Sequence, residues 1–330
     1  MNDKAIGTRK LGNSGLEIAP LVLGGNVFGW TVDEAGTARL LDHFVGSGFN
    51  MVDTADVYSN WIAGNQGGES ETLIGKWLKK SGKRERILIG TKVGLEMSPG
   101  KKGLSKQHIL QSAEDSLRRL QTDYIDLYQS HTEDTETPQE ETLDAYAELI
   151  KAGKVRAIGA SNFKAPTLRH ALEISRKKGL PSYECLQPHY NLYVRKQFEG
   201  ELESACVENH LGVIPYFSLA SGFLTGKYRS EKDTANRSRG SRVLSYLNPR
   251  GFRILAALDA VAAEHHATPA QIALAWLMKK PAVTTPIASA TNVNQLNELM
   301  GAARIVLDGE AMTKLNAASA YTDEEKTKIA

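Results

Sequence analysis

Residues 49–58 read Phe-Asn-Met-Val-Asp-Thr-Ala-Asp-Val-Tyr, and this stretch decides the fold. Its apolar residues predict a buried strand that ends at Asp53, followed by a turn that carries Tyr58 into a long polar loop. A carboxylate placed just beyond a buried strand is unfavourable unless it has a partner. The sequence therefore predicts a second polar group close to Asp53.

Two later strands also end in polar residues. Residues 86–92 form an apolar run that ends at Lys92, and residues 124–131 end at His131. In a parallel barrel the carboxyl ends of the strands meet at one face, and active sites of such barrels lie there. We therefore expect Asp53, Lys92 and His131 to lie close together.

The residue types at these strand ends suit acid–base chemistry. A tyrosine with a pKa near ~10 is a poor acid at neutral pH, but a nearby ammonium favours the phenolate and lowers that pKa. Lys92 supplies the positive charge, Asp53 orients Lys92, and His131 donates a hydrogen bond to a substrate oxygen. The hypothesis is that Tyr58 protonates a carbonyl oxygen while a bound cofactor supplies hydride.

Several short motifs follow one another along most of the chain. They are Asp53-Thr54-Ala55-x-x-Tyr58, Gly68-x-Ser70-Glu71-x-x-Ile74-Gly75, Thr91-Lys92, Asp126-Leu127-Tyr128-x-x-His131, Gly153-Lys154-Val155-Arg156-x-Ile158-Gly159-x-Ser161-Asn162-Phe163 and Gln187. In these motifs and their order, over roughly Arg9 to Leu299, the chain resembles the aldo-keto reductases. It is most similar to the branch of potassium-channel β subunits and bacterial general-stress aldo-keto reductases. The resemblance implies that Asp53, Tyr58, Lys92 and His131 are catalytic, and that the reaction is reduction of an aldehyde or ketone.

The order of the elements predicts an α/β protein with a (β/α)8 TIM barrel. Residues 9–18 read as a β-hairpin, which in the family plugs the amino end of the barrel. Strands then alternate with helices, and long loops, among them residues 226–249, lie at the C-terminal face. We expect a single domain over residues 1–330. The strands are expected near residues 20–24, 49–53, 87–91, 124–131, 155–160, 184–187, 212–216 and 283–287.

The composition argues against several classes of protein. The 330 residues include 40 basic and 38 acidic side chains, and the net charge of +2 predicts neither a nucleic-acid nor a membrane-surface partner. No apolar run reaches the ~18 residues of a spanning helix, and residues 1–4 do not begin a signal peptide. Two cysteines, Cys185 and Cys206, form no disulfide framework and suit a cytoplasmic protein. No metal site is expected.

The resemblance also assigns residues to a nicotinamide cofactor. Ser161, Asn162 and Gln187 would hold its carboxamide, Tyr216 would stack on the nicotinamide ring, and Asp53 is counted among the contacts. The following loop resembles the one that crosses the pyrophosphate, and its small residues let backbone N–H groups approach the phosphates. Its expected contacts are Ser218, Leu219, Ser221, Gly222 and Lys227.

The adenosine end of the cofactor is expected near the last strand-to-helix turn. The expected contacts are Gly25, Asn26, Ser289, Thr291, Gln295 and Glu298. Many family members have lysine or arginine at the positions of Ser289 and Gln295, but the β-subunit branch has glutamine at the Gln295 position. That branch uses a basic residue of the preceding loop, for which Arg239, Arg237 and Arg242 are the candidates. NADP(H) is therefore favoured, and NAD(H) is possible.

Aromatic residues suggest an apolar substrate pocket beside Tyr58 and His131. The candidates are Trp30, Trp61, Phe163 and Tyr193. Trp61 is the most suggestive because it stands in a polar loop, and exposed aromatic residues often mark binding sites. The residues after His131 depart from those of many family members, so the resemblance does not identify the substrate.

Two other functions stay open. The same site could oxidise a sugar, polyol or secondary alcohol with NAD+, and the cofactor preference in turnover separates the two directions. A cofactor-sensing regulatory subunit with slow turnover, similar to the channel β subunits, is a candidate of another class. The partner is expected to be a small carbonyl or alcohol, and both monomer and homo-oligomer stay open.

Overall fold

An antiparallel hairpin of β1 (Arg9–Lys10) and β2 (Glu17–Ile18) precedes the barrel in the computed structural model, which describes residues 6–235, 237–322 and 325. Residues 1–4, on which the expectation of no signal peptide rests, lie outside these ranges. Leu11 and Leu16 of the hairpin join an apolar cluster with Met51 and Leu127 of the barrel strands. The hairpin therefore packs against the inward-facing residues of the barrel, as predicted.

Eight parallel strands form one sheet, and their sequence order is the order in which neighbours pair. They are β3 (Val22–Gly24), β4 (Met51–Asp53), β5 (Leu88–Val93), β6 (Ile125–Ser130), β7 (Val155–Ser161), β8 (Tyr183–Gln187), β9 (Gly212–Val213) and β10 (Ile287–Ala288). The sheet closes on itself because the Thr284 N–H donates to the Val213 carbonyl at 2.8 Å and the Ile287 N–H donates to the Pro215 carbonyl at 2.9 Å. The (β/α)8 barrel prediction is confirmed.

Helices connect the strands and cover the outside of the barrel. They are α1 (Glu34–Gly46), α2 (Glu69–Ser81), α3 (Lys106–Leu120), α4 (Gln139–Lys151), α5 (Ala165–Lys178), α6 (Glu201–Glu208), α7 (Gly240–Val243), α8 (Pro249–Glu264), α9 (Pro269–Lys279), α10 (Val293–Gly301) and α11 (Gly309–Ser319). Local sequence sets several of their starts. Asp33 accepts a hydrogen bond from the Gly36 N–H at the start of α1, and Thr268 and Gln271 form a capping box at the start of α9.

One glycine decides how closely two of the helices approach. A Cβ atom on Gly75 of α2 would clash with the backbone carbonyl of Arg119 in α3. This close approach lets Arg119 donate to Glu71, a fully buried carboxylate of α2, at 2.6 Å. The ion pair joins α2 to α3, and the Thr54 hydroxyl, just after β4, donates to the Ser70 hydroxyl of α2 at 2.8 Å.

The structure differs from the sequence prediction at four places. The last strand, predicted over residues 283–287, is β10 at Ile287–Ala288. The strand predicted over residues 212–216 is short as β9, although the Ile214 N–H still donates to the Leu186 carbonyl and the Tyr216 N–H to the Pro188 carbonyl, each at 3.0 Å. The polar loop of residues 226–249 contains two 3-10 segments, Glu231–Thr234 and Leu244–Tyr246, and the short helix α7. Helix α11 was not predicted; it packs against α8 and buries Ala311, Leu315 and Ser319.

No helix in the described part of the chain has the length and apolar character needed to cross a membrane.

Candidate active site

Four polar side chains meet where β4, β5 and β6 end. Asp53 is the last residue of β4, Lys92 lies near the end of β5, and His131 follows β6 directly. The Lys92 ammonium Nζ lies 2.7 Å from Asp53 Oδ2 and 3.3 Å from the hydroxyl oxygen of Tyr58. The Tyr58 ring also packs against the His131 imidazole, with 5.8 Å between ring centroids. The expected juxtaposition of these four residues is present.

Asp53 and Lys92 form a buried ion pair, and the other donors and acceptors of the two side chains also have hydrogen-bond partners. Lys92 is 0% exposed and also donates to the Thr54 carbonyl at 2.7 Å. The second carboxylate oxygen of Asp53 accepts from the amides of Gln187 at 2.8 Å and Gln129 at 3.2 Å. A buried pair is favourable only when the remaining donors and acceptors are satisfied in this way.

Lys92 remains an ammonium in this setting. Burial lowers its pKa, but the charge of Asp53, followed by the contact with Tyr58, raises it, and the net pKa lies above the usual value. A permanent positive charge is therefore held against the Tyr58 hydroxyl.

The acidity expected of Tyr58 needs correction. Burial raises the pKa of Tyr58, the Lys92 charge lowers it, and the Asp53 charge raises it again. The net pKa is above the usual 10.0, because desolvation of the phenolate outweighs its attraction to Lys92. Tyr58 is therefore a neutral phenol that carries its proton at neutral pH.

His131 is held neutral and in a fixed position. Burial, followed by the Lys92 charge, lowers its pKa well below the usual 6.5. Its backbone N–H donates to the Val93 carbonyl at 2.8 Å, and its carbonyl accepts from the Asn162 amide at 2.9 Å. A neutral imidazole can donate one hydrogen bond from a ring nitrogen.

A cleft of about 780 Å³ opens over these residues and runs across the carboxyl face of the barrel. This volume lies within the range of small-molecule and cofactor sites. Most of the predicted cofactor contacts line it: Asn26, Asp53, Ser161, Asn162, Gln187, Tyr216, Ser218, Leu219, Ser221, Gly222, Lys227, Arg239, Ser289, Thr291, Gln295 and Glu298. Of the predicted substrate contacts, Trp30, Tyr58, Trp61 and His131 line it.

Three expected contacts lie elsewhere. Phe163 is buried in the core against Tyr183, at 5.5 Å between ring centroids, because the left-handed backbone of Asn162 turns the chain inward. Gly25 sits in a 3-10 turn beneath the cleft, where its carbonyl accepts from the Ser70 hydroxyl at 2.8 Å. Tyr193 packs beside Tyr246, outside the cleft lining. These three residues do not line the cleft, and their assignment to the cofactor or substrate stays a prediction.

A cluster of amides and hydroxyls lies beside Asp53 and His131. Asn162 accepts from the Tyr216 hydroxyl at 2.7 Å and donates to the Ser161 hydroxyl at 3.2 Å. The Ser161 hydroxyl donates to the Gln187 carbonyl at 2.9 Å. The Gln187 amide nitrogen already donates to Asp53, so its amide oxygen is available as an acceptor toward the cleft. These groups fit a planar carboxamide.

The next stretch of cleft wall has an unusual backbone. Phe217, Ala220, Ser221 and Gly222 all have positive φ, between 47° and 96°. Such strain in residues other than glycine is concentrated at functional sites, and turns of this kind direct backbone N–H groups to anions. The segment fits the pyrophosphate position predicted for it.

Four cations line the cleft beyond this segment. They are Lys227, Arg237, Arg239 and Arg242. None of them forms an ion pair with a carboxylate in the described ranges, whereas Arg229 of the same loop pairs with Asp259 at 2.8 Å. Burial lowers the pKa of Lys227, and the neighbouring charges of Arg237 and Arg239 lower it further. This excess of positive charge fits an anionic ligand.

The end of the cleft near these cations is formed in part by the turn that leads into α10. Gln295 folds back and accepts from the Thr291 N–H and hydroxyl, each at 2.9 Å. Ser289 donates to Asn26 at 2.6 Å, which joins this turn to the loop after β3. The carboxylate of Glu298 lines the same end.

Sequence reasoning missed several residues of the site, among them Gln129 and Leu95. Gln129 lies on the same face of β6 as His131, and the alternation of side chains along a strand could have identified it. Leu95 lines the mouth of the cleft, but nothing in its loop sequence distinguishes it.

A parallel barrel that gathers these four side chains beside a long cleft defines a barrel oxidoreductase. Residues 20–320 match the model of the aldo/keto reductase family. Protein tas of Escherichia coli (strain K12) is 32% identical over 93% of this chain and 96% of its own length. The uncharacterized oxidoreductase YrpG of Bacillus subtilis (strain 168) is 34% identical over 93% and 94%. A putative voltage-gated potassium channel subunit beta of Schizosaccharomyces pombe (strain 972 / ATCC 24843) is 32% identical over 98% and 96%. The chain belongs to the aldo/keto reductase family.

Proposed function

We propose that this protein reduces an aldehyde or ketone to an alcohol with a nicotinamide cofactor, and that Tyr58 supplies the proton. The observation that carries the proposal is the Lys92 ammonium, which lies 2.7 Å from Asp53 and 3.3 Å from the Tyr58 hydroxyl at the wall of the cleft. A reduced nicotinamide bound in the cleft would supply the hydride.

Each of the four side chains has a role that follows from its charge state. Tyr58 holds a proton at neutral pH and can give it to the oxygen that receives negative charge. Lys92 stabilises the phenolate left behind, and Asp53 keeps Lys92 in place. His131, as a neutral donor, can hold the carbonyl oxygen without adding a second positive charge beside Lys92.

The cofactor contacts are proposed on their fit to the group. Ser161, Asn162 and Gln187 offer hydroxyl and amide groups for the carboxamide, and the strained segment from Phe217 to Gly222 faces the pyrophosphate. These residues bind and orient the cofactor, and the aromatic residues at the mouth exclude water from the reacting carbon.

We favour NADP(H) over NAD(H) because of the cations that line the cleft without a carboxylate partner. A charge-assisted hydrogen bond contributes about 1.5–3 kcal/mol. Loss of the Arg239 side chain should therefore weaken NADPH binding by about 10- to 100-fold, and NADH binding by less. The test compares the Kd of both cofactors, from nicotinamide fluorescence, in wild type, Arg239→Ala and Arg229→Ala.

Arg229→Ala is the matched control, since Arg229 lies in the same loop but is paired with Asp259. If Arg239→Ala loses affinity for NADPH and NADH equally, Arg239 does not recognise the phosphate that distinguishes NADPH from NADH. If wild type binds NADH as tightly as NADPH, the preference itself is wrong.

The function itself is tested with a panel of aldehydes, ketones, polyols and secondary alcohols followed at the nicotinamide absorbance with each cofactor. Reduction of carbonyls with NADPH should exceed every oxidation measured near neutral pH. Faster oxidation of a sugar, polyol or secondary alcohol with NAD+ would replace the proposed direction with its reverse on the same residues.

A regulatory subunit is a second candidate, and the similarity to channel β subunits favours it. In that case the catalytic residues would turn over slowly and report the state of the bound cofactor to a partner protein. A stoichiometric partner in a pull-down, together with negligible turnover on the whole panel, would favour this candidate over an independent reductase.

A further inference from the structure

His189 lies behind one of the proposed cofactor residues. It stands two residues beyond the end of β8, and its imidazole is stacked on the Tyr216 ring with 5.2 Å between centroids and 23° between planes. The Phe217 ring meets the edge of the same imidazole at 5.4 Å. The backbones of His189 and Tyr216 pair as well, and the Tyr216 N–H donates to the Pro188 carbonyl at 3.0 Å.

Tyr216 is thus held in place both by the ring stacked on it and by a hydrogen bond from its hydroxyl. The ring lines the cleft, and its hydroxyl donates to the Asn162 amide oxygen at 2.7 Å. Asn162 in turn donates to the His131 carbonyl at 2.9 Å. The contacts therefore run from His189 through Tyr216 to the backbone that carries the proposed carbonyl donor.

The chemistry of His189 points to support rather than proton transfer. It does not line the cleft, so it cannot touch a substrate bound there. Its Nε2 is buried and has no hydrogen-bond partner among residues 6–235, 237–322 and 325. Burial lowers the pKa of His189 to about 4, so the imidazole is a planar, uncharged ring at neutral pH. Stacked aromatic rings of this kind fix each other's orientation.

We infer that His189 is a positioning residue that holds Tyr216 flat against the nicotinamide ring, so that hydride leaves from one face only. The inference rests on the proposed function, because it requires a nicotinamide in the cleft. An uncharged ring suits this place, since an imidazolium behind Tyr216 would repel the positive charge of an oxidised nicotinamide.

The first test compares His189→Ala with His189→Phe by nicotinamide fluorescence and by thermal unfolding. An aromatic pair stabilises the position of both rings. Removing the imidazole in His189→Ala should therefore raise the Kd for NADPH by about 3- to 10-fold. Phenylalanine keeps a planar ring and removes the buried nitrogen, so its Kd should stay within about 2-fold of wild type. Equal losses in both variants would overturn the inference.

The second test asks whether His189 acts through Tyr216. In a Tyr216→Leu background, His189→Ala should cause no further loss of NADPH affinity. With cofactor deuterated on one face of C4, His189→Ala should transfer hydrogen from both faces, whereas wild type and His189→Phe should use one. Additive losses of affinity, or unchanged face selectivity in His189→Ala, would refute a positioning role.

The outcomes separate this inference from the proposed function. A wild-type protein that binds neither NADPH nor NADH overturns both. A wild type that binds cofactor and reduces carbonyls, with a His189→Ala variant that matches it in Kd and face selectivity, overturns the role of His189 alone.

Discussion

Replacing Lys92 with methionine removes the ammonium while keeping the length and apolar body of the side chain. The lost charge lies 3.3 Å from the Tyr58 hydroxyl oxygen. At an effective dielectric constant of ~20, two unit charges at that distance interact by about 5 kcal/mol. If half a charge develops on the phenol in the transition state, the barrier rises by about 2.5 kcal/mol, which slows the reaction by about 100-fold.

The same change leaves the Asp53 carboxylate buried without its cation. Breaking a buried ion pair from one side costs about 3–5 kcal/mol of stability. Urea unfolding of Lys92→Met should show this loss, and Asp53→Asn added to Lys92→Met should recover most of it. Because Lys92 does not line the cleft, the Kd for NADPH should change little in Lys92→Met, whereas Asp53 does line it, so the double variant is compared at saturating NADPH.

The decisive assay is the reduction rate of a saturating aldehyde by NADPH in the stable double variant. Restored stability with a rate still reduced by about 100-fold supports the role of the charge. A double variant that regains the wild-type rate would refute the reasoning, because the effect of Lys92 would then have been structural only.

Three further results follow from the structure. The pKa of Tyr58 is raised above 10.0, and that of His131 lies well below 6.5. The rate of carbonyl reduction should therefore not change between about pH 7 and pH 9. A half-maximal rate at a pH inside that range would contradict this prediction. Asp56 is buried without a hydrogen-bond partner for either oxygen in the described part of the chain, and burial, followed by Glu71, raises its pKa well above 3.8. Above pH 3.8 the unfolded state releases the Asp56 proton, but the folded state keeps it. As the pH rises, the free energy of unfolding of wild type should therefore fall relative to that of Asp56→Asn. The fall is about 1.4 kcal/mol per pH unit until the pKa of Asp56 in the folded state is reached. Urea unfolding at pH 5 and pH 8 tests this, and an advantage of Asp56→Asn that is equal or smaller at pH 8 would contradict it. Trp61 is 43% exposed and its ring packs edge-on against the Tyr58 ring. Trp61→Ala should therefore raise the KM by about 10-fold for an aromatic aldehyde and by much less for glyceraldehyde. Equal effects on the two KM values would show that Trp61 does not contact the substrate.

The parts of the site that depend on strand ends were predictable. Alternation along a strand and the parallel order of the barrel fix where Asp53, Lys92 and His131 must lie, so sequence reasoning brought them together. The residues assigned to the cofactor on short turns, such as Asn162 and Gln295, came instead from the resemblance to the aldo-keto reductases, and they stay proposals.

The differences arose where one backbone angle or a balance of opposing effects decides the outcome. The left-handed backbone of Asn162 sends Phe163 into the core, and no pattern in the sequence reveals that angle. The pKa of Tyr58 is a balance between burial, Lys92 and Asp53, and only the degree of burial in the folded protein gives its sign. Leu95 reaches the cleft from a loop whose path the sequence does not define.

The central claim is that the Tyr58 hydroxyl delivers the proton as hydride reaches the carbonyl carbon. Tyr58→Phe removes that single oxygen, and a stopped-flow single turnover of bound NADPH with an aldehyde isolates the chemical step. Hydride transfer should slow by about 1,000-fold or more, while the Kd for NADPH and the unfolding midpoint stay unchanged. Hydride transfer within about 10-fold of wild type would contradict this claim.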